Sequence, residues 1–478
     1  MAVAFAAVIA FAPHVLAVDE ATRKLVGSSD WEKRWDAVEP LSNDGSPEAV
    51  RLIARLLADA NVQVRDHATW GCGLLKSDEA VSILSAGMPR VPPVARAAFA
   101  DGLARTGRPA ALLALADASR TDADANVRAA AIEGMESFRR DPRAAVACAE
   151  ATRDRDPVVR AAALWAASKL DRNPCRVAVV SAFTDADEGV RCASLAAMWS
   201  TDARQHLEAA AADASWRVRV QCADTAVWIR TEEAVDALVR LLRDPHDRVA
   251  SSAARGLRLV SGKDFARDAD LWEAWWKQNR AAWQPPKGDL TDPRTSAGPG
   301  TRAQFMGTEV EGECTAFVLD FSGSMGVYVA AGEMRADRVR KELATTLAAL
   351  PDGHRVNVFL VSDRVRAFAP RAPALGPKVR ADVAAFVKRQ VPDGDTNLIG
   401  GVLDALDDDA VDSIHLLTDG VPTTGEVTAS RRFWDRVARR NRLRKVAIHT
   451  VGMAVTDDSD RAFLAGLASR NGGRSVFR

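Results

Sequence analysis

Apolar and polar positions follow two different rules along this chain. From residue 30 to about 257, an Asp-rich turn, a Val-Arg step and a run of small residues ending in Leu, Met or Trp recur. The arginines of the step are Arg34, Arg65, Arg96, Arg128, Arg160, Arg191 and Arg219, with Ala250 in the eighth place. Their spacings are 31, 31, 32, 32, 31, 28 and 31 residues. A period that short predicts stacked helical hairpins, because one unit cannot bury its own apolar face. From about residue 308, strand-length apolar runs alternate with amphipathic stretches. The predicted strands are 315–319, 355–361, 413–418 and 445–452, with short ones at 365–369 and 474–477. The predicted helices are 334–350, 376–390, 398–407, 428–442 and 459–470. In the first of these, Val339, Leu343, Leu347 and Leu350 form one stripe. Such alternation predicts a mainly parallel sheet covered on both faces. The fold class is therefore multidomain: an all-α solenoid followed by a doubly wound, Rossmann-like α/β domain.

Local chemistry supports the repeats. Val64, Val127, Val159, Val190, Val218 and Val249 precede the step position. Asp59, Asp124, Asp156, Asp187, Asp213 and Asp244 precede the second helix of their units, where a carboxylate can accept free N–H groups. Pro157 and Pro245 sit at turns, and the alanine runs at 129–131 and 161–163 allow close helix approach. The array resembles the short, lyase-type HEAT-like repeats, whose known roles are mostly scaffolding and protein binding. Trp272, Trp276 and Trp283 share a helical face with Trp275 beside it, which predicts a hydrophobic cap on the last hairpin. A Pro- and Gly-rich stretch then reads as a linker. The expected organisation is residues 1–18 as a signal peptide or N-terminal anchor, 19–284 as solenoid, 285–307 as linker and 308–478 as the α/β domain.

Composition narrows the function. Lys plus Arg and Asp plus Glu both number 64, so overall charge favours neither nucleic acid nor an anionic membrane surface. Eleven of the twelve Trp precede residue 284, in keeping with two architectures. Cys72, Cys148, Cys175, Cys192, Cys222 and Cys314 show neither CxxC nor zinc spacing and read as small buried residues. Residues 1–18 lack acids, Lys and Arg, and Val15-Leu16-Ala17 resembles an export cleavage site. Export to a periplasmic, extracellular or cell-surface location is the expectation, with a membrane anchor as the rival and a cytoplasmic location as a further alternative.

The candidate chemistry lies in the second half. Asp320-Phe321-Ser322-Gly323-Ser324 closes the first long strand and puts three oxygens around one point. Hard divalent cations take oxygen ligands, and ligands of parallel sheets bind beyond the carboxyl ends of strands. Thr396, just before the helix at 398–407, and Asp419, just past the strand at 413–418, reach the same edge. Asp320-x-Ser322-x-Ser324, then Thr396, then Asp419 resembles the metal-ion-dependent adhesion site of von Willebrand factor type A domains over residues 308–478. That resemblance implies a divalent cation, most readily Mg²⁺ (Mn²⁺ or Ca²⁺ also suit oxygen donors). It implies direct binding by both serines and direct or water-mediated binding by the acids. It further implies that Thr396 binds directly when ligand is bound and that a partner protein supplies an Asp or Glu carboxylate.

Other signals are weaker. Ser322 and Ser324 lack a nucleophile elbow and a triad histidine, which argues against a hydrolase. His354, His415 and His449 read as packed strand residues. The basic stretch Arg431 to Lys445 reads as a solvated helix end, and the Asp404, Asp407, Asp408, Asp409, Asp412 cluster as a solvent-facing turn. The reading is a non-enzymatic binding protein with a metal-bridged site and a second protein-binding surface on the solenoid. Two alternatives stand beside it. One is an accessory subunit for a separate enzyme or ATPase, since no phosphate-binding loop occurs here. The other is a scaffold with a vestigial metal site.

Overall fold

The computed structural model describes residues 18–170, 175–288, 290, 302–330, 332–425 and 428–478. The expected leader, apart from Val18, and most of the expected linker lie outside them. The chain divides into two compact units at Cys175/Arg176, inside the repeat region. All six cysteines are free and buried. No helix among the described residues is long and apolar enough to cross a membrane.

Within the first unit, the Val-Arg step is a joint between consecutive repeats. Arg128 is the clearest case. Its Nη1 donates to the carbonyls of Asp122 (3.0 Å) and Ala123 (3.2 Å) at the turn before its own helix. Its Nε and Nη2 grip Asp154 of the next repeat at 2.9 and 2.8 Å. Arg34–Asp59 and Arg96–Asp122 repeat the pairing. In the second unit so do Arg191–Asp213 and Arg219–Asp244. The flat guanidinium suits this work, because it satisfies a carboxylate with two parallel bonds and still reaches a carbonyl.

The aspartates named from sequence divide into two sets. Asp124, Asp156 and Asp187 are N-caps and accept from backbone N–H groups of the helix that follows. Asp59, Asp213 and Asp244 stand two residues ahead of the N-cap position. They accept the N–H of Asn61, Ser215 and His246 at 2.8 Å each, and otherwise hold the arginine of the preceding repeat. The tryptophan cap forms as expected on the helix Ala269–Asn279. Trp272 and Trp276 are buried, and Trp276 Nε1 donates to Asp236 at 2.7 Å.

The α/β domain has strands β1 (Gln304–Phe305), β2 (Thr308–Glu309), β3 (Cys314–Asp320), β4 (Tyr328–Ala330), β5 (Glu333–Met334), β6 (Arg355–Val361), β7 (Val365–Ala367), β8 (Ser413–Thr418), β9 (Ala447–Gly452) and β10 (Ser475–Phe477). The main sheet has the order β10-β9-β8-β3-β6-β7, parallel except for β7. Every residue of β3 is buried, as a strand covered on both faces must be. Ala316 and Val318 pack on one side with Leu398, Val402, Phe433 and Leu464. Phe317 and Leu319 pack on the other with Val339, Leu343, Val383 and Val387. From β3 the chain crosses to β6 on one side and later returns to β8 on the other. The strand order therefore reverses between β3 and β8, which opens a crevice at their carboxyl ends.

The opposite, amino-terminal edge of the sheet meets the last repeats of the same unit. Asp247, first residue of the helix Asp247–Ser261, accepts from Arg302 (2.8 and 2.6 Å), Arg267 (2.7 Å) and the Gly312 N–H (2.8 Å). Arg217 donates to the Asp409 carbonyl at 2.6 Å, and Arg248 to that of Lys445 at 3.3 Å.

Two expectations are corrected here. Asp408 and Asp412 are buried rather than solvent-facing. Asp408 accepts the Ala372 N–H at 2.7 Å, and Asp412 those of Glu313 and Cys314. The basic helix end is not merely solvated either: Arg440 pairs with Asp407, and Arg444 with Asp409 at 2.5 Å. The two charged clusters thus meet each other.

Candidate metal centre

All three predicted segments arrive at the carboxyl edge. Asp320 is the last residue of β3 and is fully buried. Its Oδ1 accepts the Ser322 N–H at 2.9 Å, which folds the loop back over the strand end. Its Oδ2 accepts the Thr418 hydroxyl at 2.7 Å. Burial pushes the Asp320 carboxyl above its ordinary range, against the pull of these hydrogen bonds. From there a chain of oxygens runs outward. Ser322 Oγ lies 3.1 Å from Ser324 Oγ, and Ser324 Oγ donates to Asp419 Oδ1 at 2.8 Å. Ser322 is buried and Ser324 exposed, so the row leads from the sheet to solvent.

The Thr396 segment is fixed through its backbone. Its N–H donates to Thr423 Oγ1 at 2.9 Å, and its carbonyl accepts the N–H groups of Thr423 (3.1 Å) and Thr424 (3.3 Å), just past Asp419. Two residues earlier, the Gly394 carbonyl accepts the Gly323 N–H at 3.0 Å. Gly394 has φ +68°, and a Cβ there would sit 3.0 Å from Asp363 Oδ1, so the turn requires glycine. The second segment is therefore tied to both of the others, and Thr396 is buried between them.

Sequence reasoning missed two partners. Thr418, the last residue of β8, couples the two acid-bearing strand ends through its hydroxyl. Arg335, first residue of the helix Arg335–Ala349, sets Nη1 2.5 Å from Asp419 Oδ2. An arginine in the first turn of a helix opposes the helix dipole. That anomaly was the one signal in the sequence that Arg335 has a partner elsewhere.

The donor set suits a hard divalent cation. It is all oxygen, with two carboxylates and neutral alcohols. The hydrogen bonds linking Ser322, Ser324 and Asp419 are of the kind that shared cation ligation replaces. Among the described residues, no group of three or more His, Cys, Asp or Glu side chains could hold a metal ion. The alcohols are therefore essential to any site here. With Arg335 included, the fixed charges sum to about −1 rather than the −2 of the acids alone.

The comparisons agree with this architecture. Residues 316–477 match the model for the von Willebrand factor type A domain. Residues 18–104, 90–168 and 176–258 match the model for HEAT repeats. The chain is a run of HEAT repeats followed by a von Willebrand factor type A domain. No curated protein matches it. Among solved structures, a von Willebrand factor type A protein from Catenulispora acidiphila is 18% identical, with 36% of this chain and 40% of that one covered and a TM-score of 0.31. The CpcE–CpcF complex of phycocyanin lyase from Nostoc is 22% identical over 32% of this chain and 99% of that one, with a TM-score of 0.29. The Escherichia coli protein YibA is 21% identical over 51% and 93%, with a TM-score of 0.34. This chain thus spans less than half the length of the Catenulispora protein. Both kinds of module are typically interaction modules without catalytic activity of their own.

Proposed function

We propose that the protein is a non-enzymatic binding protein whose type A domain engages a partner carboxylate through a divalent cation, most readily Mg²⁺. The observation that supports this is the oxygen row from Asp320 through Ser322 and Ser324 to Asp419, with the Thr396 segment hydrogen-bonded to both flanking loops. Asp320, Ser322, Ser324, Thr396 and Asp419 would hold the cation, which supplies an electrophilic point for one further oxygen. Asp320 and Thr418 fix the inner end of the row, and Arg335 pairs with Asp419 at its outer end. The HEAT repeats offer a second protein-binding surface.

The test is capture of Asp-containing peptides by the immobilised full chain in Mg²⁺. Capture should be released by EDTA and lost in Asp320→Ala while circular dichroism stays unchanged. Capture indifferent to chelator would contradict the metal-bridged mechanism.

A further inference from the structure

Among the described residues of the type A domain, the exposed large apolar side chains are Val327 (49%), Tyr328 (67%), Val329 (40%) and Val391 (73%). Single exposed apolar residues need no explanation, but a cluster beside a binding site does. These four lie in the two segments that border the first loop of the site. The Val327 N–H donates to the Ser324 carbonyl at 3.2 Å, and the Val327 carbonyl accepts the Arg335 N–H at 3.0 Å. The β4–β5 hairpin is therefore slung between a candidate ligand and the arginine that holds Asp419. Val391 belongs to the other border. Its neighbour Pro392 lies against Gly326, where an added Cβ would stand 3.8 Å from the Pro392 Cβ. The Asp393 N–H donates to the Phe321 carbonyl at 3.0 Å.

We infer that this rim is a specificity surface. The site takes a protein segment in which the Asp or Glu is flanked by apolar side chains, with Tyr328 and Val391 reading the flanks. This rests on the cation-bridged reading above. Charge complementarity fixes the centre of the ligand, because a divalent cation added to fixed charges of about −1 leaves a net positive site that calls for an anion. The apolar border fixes its surroundings, and a tyrosine on a short hairpin is a typical anchor of protein interfaces. An anionic lipid surface suits the rim less well. Membrane docking wants basic residues all round the apolar ones; Lys388 and Arg389 stand beside Val391, but on the hairpin side Lys341 is taken up by Glu333 and Arg335 by Asp419.

The experiment is selection of a random dodecapeptide library on the full chain in Mg²⁺, with elution by EDTA. The result expected is enrichment of Asp or Glu next to Leu, Ile, Phe, Trp or Tyr. A synthetic peptide of the enriched sequence should bind Tyr328→Ser and Val391→Ser at least about tenfold more weakly, with its dependence on the acid retained. Acidic peptides with unbiased flanks, or unchanged affinity in both variants, would overturn the inference and leave the cation reading intact. Absence of any EDTA-released acidic peptide would overturn both. Two further results would also overturn it, by assigning the rim to another occupant. One is Tyr328-dependent sedimentation with phosphatidylcholine–phosphatidylserine vesicles. The other is a dimer in analytical ultracentrifugation that Tyr328→Ser dissolves.

Discussion

Arg335 Nη1 stands 2.5 Å from Asp419 Oδ2, while the other oxygen of the same carboxylate accepts the Ser324 hydroxyl. The arginine is thus a built-in cation on one of the two acids that a divalent ion needs. A unit charge a few ångströms from an ion is worth on the order of 4 kcal/mol at the effective dielectric of a protein surface, and less after screening by salt. Arg335→Gln should therefore tighten Mn²⁺ binding by roughly tenfold or more. Isothermal titration of the two proteins side by side checks this. Weaker binding in the variant would mean that Arg335 supports the site instead of competing for it.

The repeat joints should differ in strength with burial. Arg128 and Asp154 have side chains only 4% and 14% exposed, so Arg128→Ala strands a largely buried carboxylate and two turn carbonyls. A loss of about 3 kcal/mol is expected, read from the urea midpoint. Arg23–Glu48 has similar geometry but is nearly half exposed on both sides. Arg23→Ala should leave the urea midpoint nearly unchanged, because solvent screens so exposed a pair.

Asp247 joins the last repeat to the type A domain by accepting from Arg302, Arg267 and the Gly312 N–H. Despite burial, its carboxyl is held well below the usual range by the two arginines. Asp247→Ala should cost roughly 2–4 kcal/mol and should speed hydrogen exchange at Gly312. The sign of its pH dependence follows from the lowered pKa. Its stabilising contribution is complete above about pH 4 and fades as pH falls below that.

Asp412 carries the opposite dependence. Burial pushes its carboxyl up to about 7, against the hydrogen bonds from Glu313 and Cys314 and the charge of Arg248. The folded protein then holds a proton that the unfolded chain gives up near pH 4. Stability from this group is present below that pH and falls as pH rises toward 7, by about 1 kcal/mol per unit across the middle of the window. His246 Nε2 lies 4.0 Å away, and burial lowers its pKa, so its own contribution runs the other way. The difference between wild type and Asp412→Asn isolates the acid. Wild type should lose ground steadily against the variant in urea titrations from pH 5 to pH 7 and level off above that, and a flat difference across the window would contradict the assignment.

Much of this was legible in the sequence because it is local. The 31-residue period, the strand runs ending at Asp320 and Thr418, and the Val339–Leu343–Leu347 stripe all reflect neighbours along one element. The three oxygen-bearing segments were legible as well, since strand ends in a parallel sheet share an edge. What stayed hidden depends on elements meeting in space. The sequence names Asp404 to Asp412 and Arg431 to Lys445 as charged clusters, but not that Arg440 reaches Asp407 and Arg444 reaches Asp409. It shows the Arg and Asp of each repeat, but not that Arg128 bonds forward to Asp154. Arg335 was hidden for the same reason, since its partner lies 84 residues further along. The β4–β5 hairpin was missed because its strands, three and two residues long, are too short to show a periodicity.

One measurement bears most directly on the central claim: calorimetric titration of the full chain with Mn²⁺, alongside Asp320→Asn and Ser322→Ala. The account predicts one bound ion per chain in the wild type and none at the same concentrations in either variant, with all three equally folded by circular dichroism. A wild type that binds no ion, or variants that bind it as tightly, would contradict it.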